Sequence, residues 1–227
     1  TASMVSDASV FVQDSELDMP WSVNPGDLVS ISFEIINNAS VQDIFSTNID
    51  IMGISDWNVV NIVPEQIYLN SYSSGTFVAT LQSPESAQYG DYCPGIIAEI
   101  NSLRSGQTYQ SQTYDNLLIN QVNDVSIQLT NSPNSIIPGI VNNFTLQLEN
   151  MGNGPVTSSI SIANIPSSWN WWLEDEFGQI LMNVQLSERS ELHYVKNVQL
   201  KIDVPVGVEP NTQFSISISA NTIGNNE

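Results

Sequence analysis

Residues 123–155 of this chain read NDVSIQLTNSPNSIIPGIVNNFTLQLENMGNGP, and residues 7–40 read DASVFVQDSELDMPWSVNPGDLVSISFEIINNAS. In both segments a Pro-Gly pair precedes a run of alternating apolar and polar residues that ends in asparagine. The residues that align are Gly26 with Gly139, Phe33 with Leu146, and Asn37 with Asn150. Alternation with a period of two is typical of a β-strand with one buried and one solvated face. The two copies therefore predict an internal repeat of β domains.

The repeat continues beyond these segments. ISDWNV at 54–59 matches IPSSWNW at 165–171, which pairs Trp57 with Trp169. LQSPESAQYGDY at 81–92 matches IDVPVGVEPNTQ at 202–213. The distance between matched residues grows along the chain, which predicts a longer middle in the second copy, around residues 172–183. Because Trp57 and Trp169 are equivalent, we expect both in the core.

The spacing of the strand patterns and of the breaking residues predicts the architecture. Proline and glycine recur every ten to twenty residues, and no segment of ten residues or more has a clean helical period. Short strands at this spacing are typical of antiparallel sandwiches. We predict an all-β chain of two tandem immunoglobulin-like antiparallel β-sandwich domains, residues 1–121 and 122–227.

Charge limits the partners. The chain of 227 residues has 24 acidic residues against 4 basic ones, for a formal net charge of −20. Nucleic acids and anionic membranes bind basic patches, so neither is an expected partner. No apolar run approaches the roughly 20 residues of a membrane span. The first residues have neither a basic nor an apolar region, so we expect no signal peptide there, whether the chain is a mature product or an excised piece.

The same composition indicates an extracellular or cell-surface protein rather than an enzyme. The polar surface is built from serine and asparagine, with acids as nearly the only charges. One cysteine and one histidine give no catalytic grouping, so we expect no enzymatic activity and no required cofactor. Cys93 aligns with Phe214 on an inward strand position, which favours a buried thiol over a reactive one.

The second copy resembles a known class of secreted domain. Its order is a Pro-Gly turn, an alternating strand ending in asparagine, the I-P-x-x-W-x-W segment and a V-P-x-x-x-x-P stretch. Residues 124–223 are similar in this respect to the domain associated with alpha-galactosidases and to the cell-adhesion-related repeats of bacterial and archaeal surface proteins. The first copy fits less closely, since it has Tyr89-Gly90-Asp91-Tyr92 before its last strand. The resemblance implies an accessory or array module.

Two acidic clusters are candidate calcium sites, because Ca²⁺ prefers six to eight oxygen ligands. They are Asp14, Glu16 and Asp18 in the first copy, and Glu174, Asp175 and Glu176 in the second. The alternative for both is a solvated acidic loop in an acidic protein. Asn38 and Asn143 open glycosylation sequons. Trp172 beside the second cluster is the better surface aromatic for a glycan, and Trp21 is a candidate cap at a sandwich end.

These observations predict a structural or adhesive segment of a cell-surface protein, an S-layer-like layer or a filament. Its partners would be copies of itself or neighbouring surface domains, with glycans as a further possibility, and its mechanism would be domain packing and strand addition. The segment 1–12 is the candidate donor strand. The alternative prediction is a carbohydrate- or ligand-binding accessory module of a secreted enzyme.

Overall fold

The computed structural model describes residues 7–13, 21–53, 56–115, 117–209 and 211–223. The chain divides into two compact units, unit 1 (Thr1–Asn120) and unit 2 (Gln121–Glu227). The described residues form strands, turns and loops and no α-helix. No helix in these ranges is therefore long and apolar enough to cross a membrane. The prediction of an all-β chain with two immunoglobulin-like sandwiches is confirmed.

Unit 1 has ten described strands. They are β1 (Ala8–Val12), β2 (Trp21–Val23), β3 (Leu28–Asn37), β4 (Asp43–Ile51), β5 (Asn58–Val63), β6 (Gln66–Leu69), β7 (Ser74–Gln82), β8 (Ile96–Ser102), β9 (Thr108–Gln110) and β10 (Leu117–Ile119). One sheet has the order β1-β3-β7-β5 and the other the order β6-β4-β8-β9. A third, two-stranded sheet pairs β10 with β2 in parallel.

Unit 2 has eight described strands. They are β11 (Val125–Asn131), β12 (Val141–Asn150), β13 (Val156–Ala163), β14 (Asn170–Glu174), β15 (Ile180–Leu181), β16 (Val184–Leu186), β17 (Val195–Asp203) and β18 (Ser217–Ile223). The sheet orders are β11-β12-β17-β14-β15 and β16-β13-β18. The hairpin of β14 and β15 adds a strand to one sheet, and it accounts for the longer middle that the sequence predicts in the second copy.

Each unit has its own core, because the alternating strands turn their apolar residues inward. In unit 1, Phe33 and Phe77 are fully buried and their rings stack at 5.1 Å. In unit 2, Leu148 and Leu200 are fully buried. Trp57 and Trp169 belong to these cores, which confirms the prediction from the repeat.

Two buried asparagines, Asn37 and Asn150, occupy equivalent positions in the two units. The Asn37 amide group donates to the Val41 and Asn70 carbonyls, at 2.9 and 3.0 Å. The Asn150 amide group donates to the Gly154 and Ser187 carbonyls, both at 2.8 Å. Each side-chain oxygen accepts from the backbone N–H two residues later. An asparagine at the end of this strand therefore satisfies the backbone groups of the turn that follows it.

Candidate functional site

Unit 1 is closed on one side by its last segment, residues 108–119. β9 runs antiparallel to β8 and pairs Thr108 with Asn101. The chain then continues along β8, where Tyr114 forms an antiparallel bridge with Ile96. It ends as β10, which lies parallel to β2 with Leu117 opposite Trp21. The segment thus bridges to the start of β8 through Tyr114 and pairs with β2 through β10.

Backbone hydrogen bonds hold the described residues of this segment on both sides of residue 116. The Ser111 N–H donates to the Ala98 carbonyl at 2.9 Å, and the Ile96 N–H donates to the Tyr114 carbonyl at 2.7 Å. Further along, the Cys93 N–H donates to Leu117, the Ile119 N–H to Asp91, and the Asn120 N–H to Val23, at 2.8 to 2.9 Å. The segment therefore satisfies backbone groups on both of its flanks.

The segment also inserts apolar side chains into the core of unit 1. Leu117 and Ile119 are fully buried, and Tyr114 is nearly so. On the facing strand β8, Ile96, Ala98 and Ile100 have no exposed surface. Beside them, burial raises the pKa of the Cys93 thiol to about 12. Cys93 is thus a structural thiol, as the sequence predicts.

In unit 2 the corresponding place is an open cavity. It has a volume of about 850 Å³ and is lined by residues 134–138, Trp169, Val204, Val208, Glu209 and residues 211–214. By the Pro-Gly alignment, Asn134 to Ile136 correspond to β2. By the alignment of Pro84 with Pro205, residues 211–214 correspond to residues 90–93, which bond to β10 in unit 1. The cavity therefore lies where unit 1 holds its own closing strand.

Apolar and polar side chains line this cavity in similar number, and some of the apolar ones are partly exposed. Phe214 is 44% exposed and packs edge-to-face on Trp169, with ring centroids 4.7 Å apart. Ile136 is 39% exposed, whereas its counterpart Val23 is buried at 6%. The cavity therefore offers both apolar surface and hydrogen-bonding groups to a bound segment.

β18 begins three residues after Phe214, the last of the residues that line the cavity. Within the described ranges β18 pairs with β13 and has no strand on its other side. The strand register makes Ile162 the partner of Ile218, as Ile49 is the partner of Ala98 in unit 1. Ile218 is nevertheless only half-buried, whereas Ala98 is fully buried. We call the cavity together with this edge of β18 the open slot.

The first strand of unit 2 shows the same difference on the other side of the sandwich. β11 pairs Leu129 with Leu146, as β1 pairs Val12 with Phe33. Leu129 is 53% exposed, while Val12 is 5% exposed. Leu129 and Ile218, whose counterparts are core residues in unit 1, thus remain partly accessible within the described part of unit 2.

The second predicted calcium cluster is not arranged as a metal site. Glu174 forms an ion pair with Lys201 at 3.4 Å and accepts a hydrogen bond from the Trp172 indole at 2.7 Å. Asp175 accepts from the backbone N–H groups of Phe177 and Gln179 in the turn between β14 and β15. Across the residues with described placement, no three acidic, histidine or cysteine side chains group around a possible metal. Calcium binding here stays a prediction without structural support.

The remaining predicted site residues are spread over the chain. Asp14, Glu16 and Asp18 lie outside the described residues. Asn38 and Asn143 are exposed, Asn38 after β3 and Asn143 within β12, and their glycosylation stays a prediction. Trp21 packs against the core of unit 1, and Trp172 is half-buried. In the predicted donor segment, Ala8–Val12 is β1 and pairs with β3, so these residues are part of unit 1 itself.

No protein-family model and no curated protein matches the chain. Among solved structures the chain is similar to the YadV chaperone, with 9% identity, coverage of 96% of this chain and 94% of that chain, and a TM-score of 0.31. It is also similar to the periplasmic chaperone SfaE, with 10% identity, 88% coverage of each chain and a TM-score of 0.31. For the E. coli chaperone DraB the identity is 7%, the coverage is 81% of this chain and 97% of that chain, and the TM-score is 0.30. The likeness is one of fold alone.

The comparisons correct the function predicted from the sequence. The structures named above are chaperones, which contradicts a structural or adhesive surface segment and equally an accessory module of a secreted enzyme. The predicted partners were copies of the chain itself and glycans. Both predictions depended on that function, so they are withdrawn with it. No family model supports the resemblance to the alpha-galactosidase-associated domain or to adhesion repeats.

Proposed function

We propose that this chain is a polypeptide-binding protein, and that unit 2 binds an extended polypeptide segment by strand addition in the open slot. The observation that carries the proposal is the edge of β18, which within the described residues pairs with β13 alone. A cavity of about 850 Å³, whose lining includes Trp169 and Phe214, lies at residues that directly precede this strand in the sequence.

Strand addition suits this site because it uses the two features that the slot offers. The backbone groups on the free edge of β18 supply hydrogen bonds of the kind that Ala98 and Ile96 form in unit 1. The cavity supplies a place for the side chains that alternate on the inner face of the added strand. Covering Phe214 and Ile136 removes apolar surface from water, which contributes roughly 25 cal/mol for each Å² buried.

A partner of this kind is compatible with a secreted or cell-envelope location, which we also propose. The surface is acidic and nearly free of lysine, and the single cysteine is buried in unit 1. Because the sequence has one cysteine, it forms no disulfide within itself.

A synthetic peptide with the sequence of residues 107–120, QTYQSQTYDNLLIN, is the direct probe, since it is the segment that fills the equivalent place in unit 1. We expect it to bind the full chain with a stoichiometry of one in isothermal titration calorimetry. The heat-capacity change on binding should be negative, because apolar surface becomes buried. A scrambled peptide of the same composition is the control and should give no saturable heat.

The matched control protein is a chain in which residues 103–120 are fused after Ile223, so that unit 2 carries its own copy of the hairpin and closing strand. We expect this fusion to unfold at a higher temperature than the unmodified chain and to lose peptide binding. Loss of binding in the fusion would show that the peptide occupies the open slot. If the peptide does not bind and the fused strand leaves the unfolding temperature unchanged, the proposal is wrong.

A further inference from the structure

The hairpin of β14 and β15 is a part of unit 2 that has no counterpart in unit 1. In unit 1, β5 leads to β6 through residues 64 and 65. In unit 2 the corresponding strands are β14 and β16, which pair with β17 and β13 as β5 and β6 pair with β7 and β4. Residues 175–183, which include β15, lie between them. Because the sandwich of unit 1 forms without such an insertion, the fold alone does not require the hairpin.

The hairpin carries apolar residues on both of its faces. Leu173 lies opposite Leu181, and both pack in the core of unit 2. The next pair, Glu174 and Ile180, lies on the outer face, because successive residues of a strand alternate between faces. Ile180 is 68% exposed there, and the half-buried Trp172 shares this face with Glu174. A solvated face usually carries polar residues, so Ile180 and Trp172 indicate a face that a partner covers.

Two further apolar residues extend this surface, and neither is needed to form the hairpin. Phe177, in the turn, is 80% exposed, and Met182, directly after β15, is 85% exposed. The turn is built by the backbone of Asp175, which bonds to Gly178 and Gln179 at 3.1 and 3.0 Å. We call the following residues the hairpin patch: Trp172, Phe177, Ile180 and Met182. Exposed apolar residues that cluster in this way mark interaction sites more often than single ones do.

The charges beside the hairpin patch restrict the partner. The ion pair with Lys201, at 3.4 Å, offsets the charge of Glu174. Asp175 and Glu176 in the turn form no ion pair with any residue that the structure describes. The whole chain has a net charge of −20. A partner with basic residues beside its apolar surface therefore complements this site, and an acidic partner is repelled.

The width of the hairpin restricts the partner further. Neighbouring strands lie about 4.8 Å apart, and a helix with its side chains is about 10 Å across, so two strands offer a strip one helix wide. An amphipathic helix has an apolar stripe of matching form.

We propose that the hairpin patch docks an amphipathic basic helix of another polypeptide. The apolar stripe of the helix covers Ile180, Met182 and Phe177, and its basic residues lie beside Asp175 and Glu176. This site is separate from the open slot and does not depend on strand addition at β18.

The probe is the synthetic peptide LKKLLKLLKKLLKL, a basic amphipathic helix, added to the full chain labelled with ¹³C-methyl methionine and ¹⁵N-tryptophan. We expect saturable NMR shifts of the Met182 methyl group and the Trp172 indole. Met52 and Met151, which are 46% and 40% exposed outside the hairpin, are internal controls and should not shift. A peptide with glutamate in place of lysine, and one with the same residues in scrambled order, should bind at least about tenfold more weakly.

Substitutions in the chain separate the apolar and the charged contributions. Met182→Gln should weaken binding of the leucine-lysine peptide about fivefold, because it removes an apolar contact at the centre of the site. Leu192→Gln is the matched control, since Leu192 is 84% exposed outside the hairpin, and it should change binding less than about twofold. Glu176→Gln should weaken binding at low salt, and the loss should vanish at about 1 M salt, where the Debye length is about 3 Å. Glu191→Gln is the control for the loss of one negative charge and should have the smaller effect.

Several results would overturn the proposal. Equal shifts of Met52, Met151 and Met182, or equal binding of the glutamate peptide, would show that the contact is unspecific. A Met182 shift that follows the concentration of the chain alone would assign the patch to a second copy. A shift with phosphatidylcholine vesicles and none with the peptide would assign it to lipid. Peptide-induced shifts in residues 217–223 in place of Met182 would overturn this proposal and leave strand addition standing. Binding at Met182 without binding of the 107–120 peptide would support this proposal and overturn only the proposed function.

Discussion

Single buried residues show how strongly the repeat is built into the chain, and Asn150 is the clearest case. Its side chain makes three hydrogen bonds to backbone groups of the turns around it, all between 2.8 and 2.9 Å. Replacement by alanine leaves these backbone groups without partners in a buried place. We expect Asn150→Ala to lower the free energy of unfolding of unit 2 by about 3 kcal/mol, as measured by urea denaturation.

The exposed asparagine Asn143 on the same strand is the matched control. Asn143→Ala should change the free energy of unfolding by less than about 0.5 kcal/mol, because exposed substitutions away from special contacts have little effect. Asn37→Ala and Asn38→Ala are the corresponding pair in unit 1. Equal effects of the buried and exposed substitutions would show that the turn does not depend on this side chain.

A second single residue, Glu174, makes the stability of unit 2 depend on pH. The Trp172 indole and the Lys201 ammonium hold the pKa of the Glu174 carboxyl below its usual range. Because the pKa is lower in the folded than in the unfolded chain, the charged carboxyl adds stability at neutral pH. That contribution is lost as the pH falls from the usual carboxyl range through the lower pKa of the folded state.

Urea denaturation of Glu174→Gln at several pH values measures this contribution. The difference between the variant and the unmodified chain should be present at pH 7 and should shrink in acid, below the folded pKa of the carboxyl. Glu176→Gln, in the exposed turn nearby, is the control for removing one negative charge. A difference that stays constant down to the acid end of the titration would contradict the assigned contacts.

Among the structural elements, the closing segment of unit 1 is the one whose role is easiest to isolate, because it covers Cys93. The Cys93 N–H donates to Leu117, and burial raises the pKa of the thiol to about 12. We expect the native thiol to react with a soluble disulfide reagent at pH 8 about a thousandfold more slowly than an ordinary cysteine, since so little of it is thiolate.

The equivalent position in unit 2 gives the matched comparison. The Phe214→Cys thiol should react at the rate of an exposed cysteine in the same chain, because Phe214 is 44% exposed beside the open slot. Fusion of residues 103–120 after Ile223 should then slow that reaction. If the two thiols react at similar rates in the unfused chain, the two units do not differ in the way described above.

The sequence predicted the elements that depend on local pattern and on repetition. Alternation placed β3, β12 and β17, and the pairing of Trp57 with Trp169 placed both tryptophans in the cores. Residues 107–120 lie outside the matched segments of the two copies, so the repeat did not predict the parallel pairing of β10 with β2 in unit 1. That pairing depends on which strands are neighbours, and a pattern along one strand does not contain that information.

For the molecule as a whole, the fold class predicted from the sequence is correct and the predicted function is wrong. An acidic composition and a surface rich in asparagine determine how the chain is solvated. Many proteins of unrelated function share both features, so they do not identify a function. The acidic clusters are an example, because the carboxylates of Glu174 and Asp175 are used in local contacts that only the folded chain shows. The difference between two copies of one domain became informative only when their edges and burial were compared in three dimensions.

Amide hydrogen exchange, followed by mass spectrometry in the full chain, tests the open slot most directly, because it compares β8 and β18 within one molecule. We predict slow exchange in β8, which pairs on both sides, and faster exchange in β18, residues 217–223, which within the described residues pairs with β13 alone. The peptide of residues 107–120, at a free concentration about ten times its Kd, should slow exchange in residues 217–223 about tenfold and leave β8 unchanged. Equal protection of β8 and β18 without peptide, together with no change on adding it, would contradict the account.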